Sequence, residues 1–85
     1  MDIIKIEKKP IASIMEFNGT IDMDVTYHFT IERKQLSNGS IEYSCFLKGW
    51  NDGGELQPAD EIPDAARYVI TQTIINYAEK NGINN

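Results

Sequence analysis

Apolar and polar residues alternate without a break from Ile21 to Glu32. Ile21, Met23, Val25, Tyr27, Phe29 and Ile31 fill the odd positions, and Asp22, Asp24, Thr26, His28, Thr30 and Glu32 the even ones. Successive strand residues point to opposite faces, so this run of β-branched and aromatic side chains predicts one long strand with its odd face buried. Asn18-Gly19 stands just before it. An Asn-Gly pair suits the left-handed positions of a tight hairpin turn. A two-residue turn there makes Ile11–Phe17 the partner strand, with Phe17 opposite Thr20, Met15 opposite Asp22 and Ile11 opposite Thr26. Pro10 cannot donate to a sheet ladder and is expected to end, or bend, a first strand over Ile3–Lys8.

Ser37-Asn38-Gly39 marks the next turn, ahead of a strand over Ile41–Trp50. Side-chain parity decides the loop length. A two-residue loop sets Ile31 beside Phe46 and Phe29 beside Lys48. A three-residue loop with Gly39 in the left-handed conformation sets Ile31 beside Cys45 and Phe29 beside Leu47. The second keeps apolar beside apolar and is the predicted register.

A helix follows from Asp60 or Glu61 to about Asn81. Asp60 is expected as N-cap, Pro63 falls in the first turn where its missing N–H costs little, and Asp64 complements the positive helix end. Gly82 suits the position after the last turn, with Ile83 folding back on Tyr77 or Ala78. The tail, Asn84-Asn85, is expected to fray. Ile62, Ala66, Val69, Ile70, Thr73, Ile74 and Tyr77 share one helical arc, which should cover the odd face of the sheet. The predicted architecture is a two-layer α+β fold, an antiparallel meander of three to four strands with one C-terminal helix on one face (ββββα), in a single domain of residues 1–85. Small antitoxins and phage-encoded inhibitors share that outline, and no run of residues matches a family signature.

Composition narrows the function. A chain of 85 residues builds only a small core, and assembly with a second copy or a partner commonly adds stability at this size. The formal net charge is −5, with seven acids against six bases in residues 1–49 and six against two in residues 50–85. Five acids and no base fall between Asp52 and Asp64. Such a balance opposes binding to nucleic acid or anionic membrane. The single cysteine excludes an internal disulfide and fits a reducing compartment. The N-terminal run MDIIKIEKKP threads charges through its apolar residues, unlike a signal peptide, and no apolar run reaches the length of a membrane span. A cytoplasmic protein is the expectation.

With the odd face under the helix, the even face needs a role. The expected pairings put Phe46 and Trp50 there beside Glu42, Ser44 and Lys48, and add Phe17, Met15 and Ile11. Trp, Phe and Met among polar neighbours are the composition of protein interfaces. The competing expectation is that the N-terminal strand or the 51–59 loop folds over this face. The joint WNDGGELQPADE, residues 50–61, has turn chemistry in Gly53-Gly54 and Pro58 and gathers Trp50, Asp52, Glu55, Asp60 and Glu61 at one rim. It is no EF-hand, because frames starting at Asn51 or Asp52 put Leu56 or Gln57 where the sixth-position glycine belongs. Tyr68, Gln72 and Ile75, in line with Glu79 at helical spacing, form a second candidate interface.

Candidate chemistry is sparse. Cys45 and His28 are the only thiol and the only imidazole, and the predicted register puts them on opposite faces, which denies a nucleophile–base dyad. Asp22, Asp24 and His28 share the even face, but strand residues two apart are separated by ~6–7 Å, too far for all three to hold one ion without a bend. Lys8-Lys9 and Arg33-Lys34 are the only basic pairs, each beside a glutamate. Lysines at sheet edges commonly block strand pairing. Phe46, Trp50 and Lys48 imitate a base-stacking platform, against the overall charge.

The sequence therefore predicts a non-enzymatic protein-interaction domain with no cofactor and no metal. It would bind a protein partner, or itself as a homodimer, through Phe17, Phe46, Lys48, Trp50, Asp52, Glu55, Asp60 and Glu61. Its sharper form is a small acidic inhibitor, antitoxin-like or of the phage anti-defence kind, that presents carboxylates to a basic surface. The alternatives are a small enzyme or enzyme subunit using Asp22, Asp24 and His28, and a sheet that binds single-stranded nucleic acid.

Overall fold

The computed structural model describes residues 3–11 and 14–82, with the side chains at positions 3, 7–11 and 14 outside that description. The fold-back of Ile83, the Asn84-Asn85 tail and the facing of Ile11 lie outside the described residues. One antiparallel sheet runs in chain order: β1 (Ile3–Ile11), β2 (Ile14–Asp22), β3 (Thr26–Gln35), β4 (Ile41–Asn51) and a two-residue β5 (Gln57–Pro58). A 3₁₀ turn at Ala59–Glu61 leads into helix α1 (Asp64–Asn81). The result is the expected α+β arrangement of meander and C-terminal helix, with a short fifth strand added.

The Asn18-Gly19 hairpin does not form. Both residues lie inside β2, and the chain turns instead at Met23-Asp24-Val25, with Asp22 opposite Thr26, Ile21 opposite Tyr27 and Phe17 opposite Ile31. A three-residue turn pairs odd positions with odd, so the alternation passes through it unbroken and conceals it. The even-position aspartates hold the turn. Asp24 accepts from the Val25 amide at 3.0 Å and from the Tyr27 hydroxyl at 3.0 Å, and Asp22 accepts from the Thr26 hydroxyl at 2.7 Å.

Gly19 has another role. It faces Phe29 across the ladder, and a Cβ there would overlap the Lys5 carbonyl oxygen and come within 2.7 Å of the Phe29 ring. The absent side chain lets that ring lie over β2. Asn18 is a cross-strand acceptor, taking the Thr30 hydroxyl at 3.0 Å. β1 continues through Pro10 to Ile11, because an edge strand tolerates a residue without an N–H. It pairs antiparallel with β2, with Ile4 opposite Ile21.

The β3–β4 turn has the predicted geometry. The Leu36 amide donates to the Ser40 carbonyl at 2.8 Å, the Gly39 amide to the Leu36 carbonyl at 3.0 Å, and Gly39 sits at φ 90°. Ile31 faces Cys45 and Phe29 faces Leu47. Beyond that point a β-bulge intervenes. Lys48 is the extra residue, so Gly49 faces His28 and Trp50 faces Tyr27. An inserted residue exchanges the faces of everything after it. Trp50 therefore turns to the helix side and packs against the core, not to the even face on which it was expected.

The core joins Phe17 and Ile21 from β2, Tyr27, Phe29 and Ile31 from β3, Ile62 from the junction, and Ile70, Ile74 and Ala78 from α1. Each large side chain buried this fully contributes about 1.5–3 kcal/mol. Phe17 is 1% exposed, which removes it from the expected partner surface, and Met15 packs on the same side. The same odd-with-odd pairing of β2 and β3 causes both corrections.

The helix begins later than expected. Asp60 lies in the 3₁₀ turn and caps nothing, and Pro63 immediately precedes α1. The junction is held by Arg67, whose Nη2 donates to the Ala59 carbonyl at 2.8 Å and to the Ile62 carbonyl at 3.3 Å. At the other end Gly82, at φ 72°, ends the helix as predicted, its amide donating to the Ala78 carbonyl at 2.8 Å. The buried stripe of α1 is narrower than the predicted arc. Val69 is 56% and Tyr77 41% exposed, because a helix lying nearest β4, at one side of the sheet, presents only Ile70, Ile74 and Ala78 squarely to it.

Candidate functional site

Three acidic segments meet at one end of the molecule. The β2–β3 turn brings Asp22 and Asp24, the β4–β5 connection Asp52 and Glu55, and the 3₁₀ turn Asp60 and Glu61, with Asp64 opening α1. The row Asp22–Thr26–Asn51 sets the first two side by side. Asp22 is half-buried and the others are exposed.

Between the β2–β3 turn and the helix junction lies a groove of about 250 Å³. Tyr27 and Trp50, with Val25, Ile62 and Pro63, give it an apolar lining, and Asp24 and Glu61 give it charge. Burial, and then the bond and charge of Asp24, raise the pKa of Tyr27, so its phenol remains a neutral donor to that carboxylate. Trp50 reaches the groove from the core side. The rim expected of Trp50, Asp52, Glu55, Asp60 and Glu61 thus belongs to one end of the molecule, joined by Asp24 and Tyr27, which sequence reasoning placed in mid-strand. The Asp-x-Asp spacing ahead of Thr26 was the available signal, since aspartate side chains commonly hold turns together.

The remaining predicted residues separate. Phe46, 54% exposed, and Lys48 lie on the sheet face away from the helix, so the bulge parts them from Trp50. β1 extends the sheet sideways instead of folding over that face. The 51–56 segment does fold back: the Asn51 side-chain amide donates to the Gly54 carbonyl at 3.1 Å, and Leu56 lies against Gly49. On α1, Tyr68 is 67% exposed while Gln72 and Ile75 are half-buried, so the expected stripe is not a continuous outer surface.

Asp22, Asp24 and His28 are engaged separately, by Thr26, by Val25 and Tyr27, and by Asn51. Among the described residues no three His, Cys, Asp or Glu side chains gather as metal ligands would. Cys45 packs on the core side, and burial pushes its thiol up to about 12, which leaves little thiolate near neutrality. No helix among the described residues is long and apolar enough to cross a membrane. Compared with protein-family models, curated proteins and solved structures, the chain matches none.

Proposed function

We propose that the chain is a non-enzymatic interaction domain that receives a basic protein surface at its acidic end, in its sharper form a small inhibitor of the antitoxin-like or phage anti-defence kind. The groove supports this most directly. Two aromatic rings beside the carboxylates of Asp24 and Glu61 suit an arginine or lysine side chain of the partner, whose charge meets the carboxylates while its guanidinium plane or apolar stem lies on a ring. Magnitudes assign the parts different work. An exposed ion pair at the rim is worth about 0–1 kcal/mol, whereas a partly desolvated cation over an aromatic face adds about 0.5–2 kcal/mol. Affinity then resides in the groove, and Asp52, Glu55 and Asp60 chiefly raise the association rate.

Trp50 is the only tryptophan, so its fluorescence reports on the groove. Titration with an arginine-rich peptide should shift its emission saturably, and added salt should weaken the binding. Asp24→Asn with Glu61→Gln should weaken it at least about tenfold, the loss of roughly 1.4 kcal/mol. Asp52→Asn with Glu55→Gln should mainly slow association. Equal affinity of the wild type and the Asp24→Asn/Glu61→Gln variant, at equal thermal stability, would defeat the proposal.

A further inference from the structure

The sheet face away from the helix carries a second feature, independent of the acidic end. A depression of about 330 Å³ is lined by Lys5, Asn18, Gly19, Thr20, His28 and Lys48. Among the described residues its lining contains two lysines, the only histidine and no carboxylate, in a chain of net charge −5. That local reversal of sign asks for an anion.

The sheet register builds the site. Lys5 is opposite Thr20, Thr20 opposite His28, and His28 opposite Gly49, with Lys48 bulged beside it. Lys5 is turned to this face because its neighbours Ile4 and Ile6 pack on the core. The two lysines stand three strand spacings apart, about 14 Å at ~4.8 Å per strand, and their four-carbon stems can reach inward from both ends of the row. The bulge sets Gly49 directly opposite His28, and the Leu56 side chain and the Gln57 carbonyl close over that glycine, bordering the row on its β4 side.

The polar groups of the row are oriented. Asn51 donates its amide to the Gly54 carbonyl, so its Oδ1 faces His28 as an acceptor and His28 Nε2, 2.8 Å away, is the N–H donor. That assignment leaves Nδ1 for a ligand. It accepts from a P–OH when the ring is neutral and donates to a P–O⁻ when the ring is charged. Asn18 likewise uses its oxygen on Thr30, which leaves its NH₂ as a donor, and the Thr20 hydroxyl serves either way.

We propose that this depression binds a phosphate group, either inorganic phosphate or the terminal group of a small phosphomonoester. Lys5 and Lys48 supply the charge, and Asn18, Thr20 and His28 supply directional hydrogen bonds. Phe46 lies two positions from Lys48 along β4 and is exposed, so an ester with a flat aromatic group has a ring to rest on.

The test is a titration of the amide and side-chain NMR signals with inorganic phosphate at constant ionic strength, and in parallel with adenosine 5′-monophosphate. Saturable shifts should appear at Lys5, Thr20, His28 and Lys48 and not at Asp52, Glu55 or Asp60. Lys5→Gln with Lys48→Gln should weaken binding at least about tenfold without lowering the melting temperature. Tighter binding of the nucleotide, with added shifts at Phe46, identifies the ester as the ligand, and equal binding identifies the phosphate group alone. Shifts that rise linearly without saturation, that map elsewhere, or that persist in the double variant overturn the proposal.

Discussion

Replacing Gly19 with alanine is the sharpest probe of how this sheet is assembled. The added Cβ would meet the Lys5 carbonyl oxygen on one side and the Phe29 ring, within 2.7 Å, on the other. A flexible side chain could swing aside. A backbone carbonyl in a paired strand and a fully buried ring cannot do so cheaply. Overpacking of this kind costs about 1–3 kcal/mol, and two stiff neighbours place Gly19→Ala near the upper figure. At ~4–8 °C per kcal/mol for a domain of this size, the melting temperature should fall by roughly 12–24 °C. Thermal and urea unfolding followed by far-ultraviolet circular dichroism would measure it. A double-mutant cycle with Phe29→Leu adds specificity. Removing the ring's far edge relieves half of the conflict, so the paired variant should be more stable than the sum of the single losses implies, by about 0.5–3 kcal/mol. If Gly19 and Phe29 belonged to separate environments, as in a turn at Asn18-Gly19, the two losses would add. A Gly19→Ala variant melting within a few degrees of wild type, or strict additivity, refutes the packing described for β2.

Two further outcomes follow from the bulge and from Cys45. Deleting Lys48 should regularise β4 and leave Trp50 opposite Tyr27, so tryptophan emission should keep its wavelength and stability should change by no more than about 1 kcal/mol, or ~4–8 °C; a red-shifted emission would show that the register is wrong. Cys45 should make the fold sensitive to alkali. Its thiol is raised from the ordinary 9.0 to about 12, so the unfolded chain loses that proton first, and stability that is full below pH 9 declines as pH climbs towards 12. Tyr27, also raised, adds to the decline at the upper end. Cys45→Ala should flatten the fall in urea midpoint between pH 9 and 11, and an unchanged slope in that variant would exclude the thiol as its source.

What could be read from the residues depended on whether a local pattern had one meaning. Gly39 after Ser37-Asn38 did, because only a three-residue loop matched apolar to apolar across β3 and β4, and the helix end at Gly82 was similarly unambiguous. Asn18-Gly19 had two meanings. As a dipeptide it is turn chemistry, but the demand of Phe29 for a strand without a side chain opposite it is tertiary and invisible along the chain. The same ambiguity hid the turn at Met23-Asp24-Val25, whose alternation is compatible with a continuous strand. Phe17 was misplaced as a direct result, since the sum of residue numbers across a hairpin decides which face a side chain takes. Trp50 was misplaced by one inserted residue, and nothing in Phe46–Trp50 announces a bulge. The acidic residues of the rim, by contrast, were legible because they crowd one segment of sequence, and their addition to Asp24 and Tyr27 needed only the correct turn.

Strand order in this sheet is identical to order along the chain, and no strand crosses over another. Each pairing therefore closes a loop of a few residues, whose entropy penalty is small and grows only slowly with length. A β-rich chain assembled from non-local pairings must bring distant segments together before any contact rewards the search, and it folds slowly for that reason. This sheet can grow one neighbouring strand at a time, and α1, which follows β5 and the 3₁₀ turn directly, finds its place on a surface already formed beside it. Refolding should accordingly be fast for so much β-structure, with little time spent exposing the apolar strands before the helix covers them.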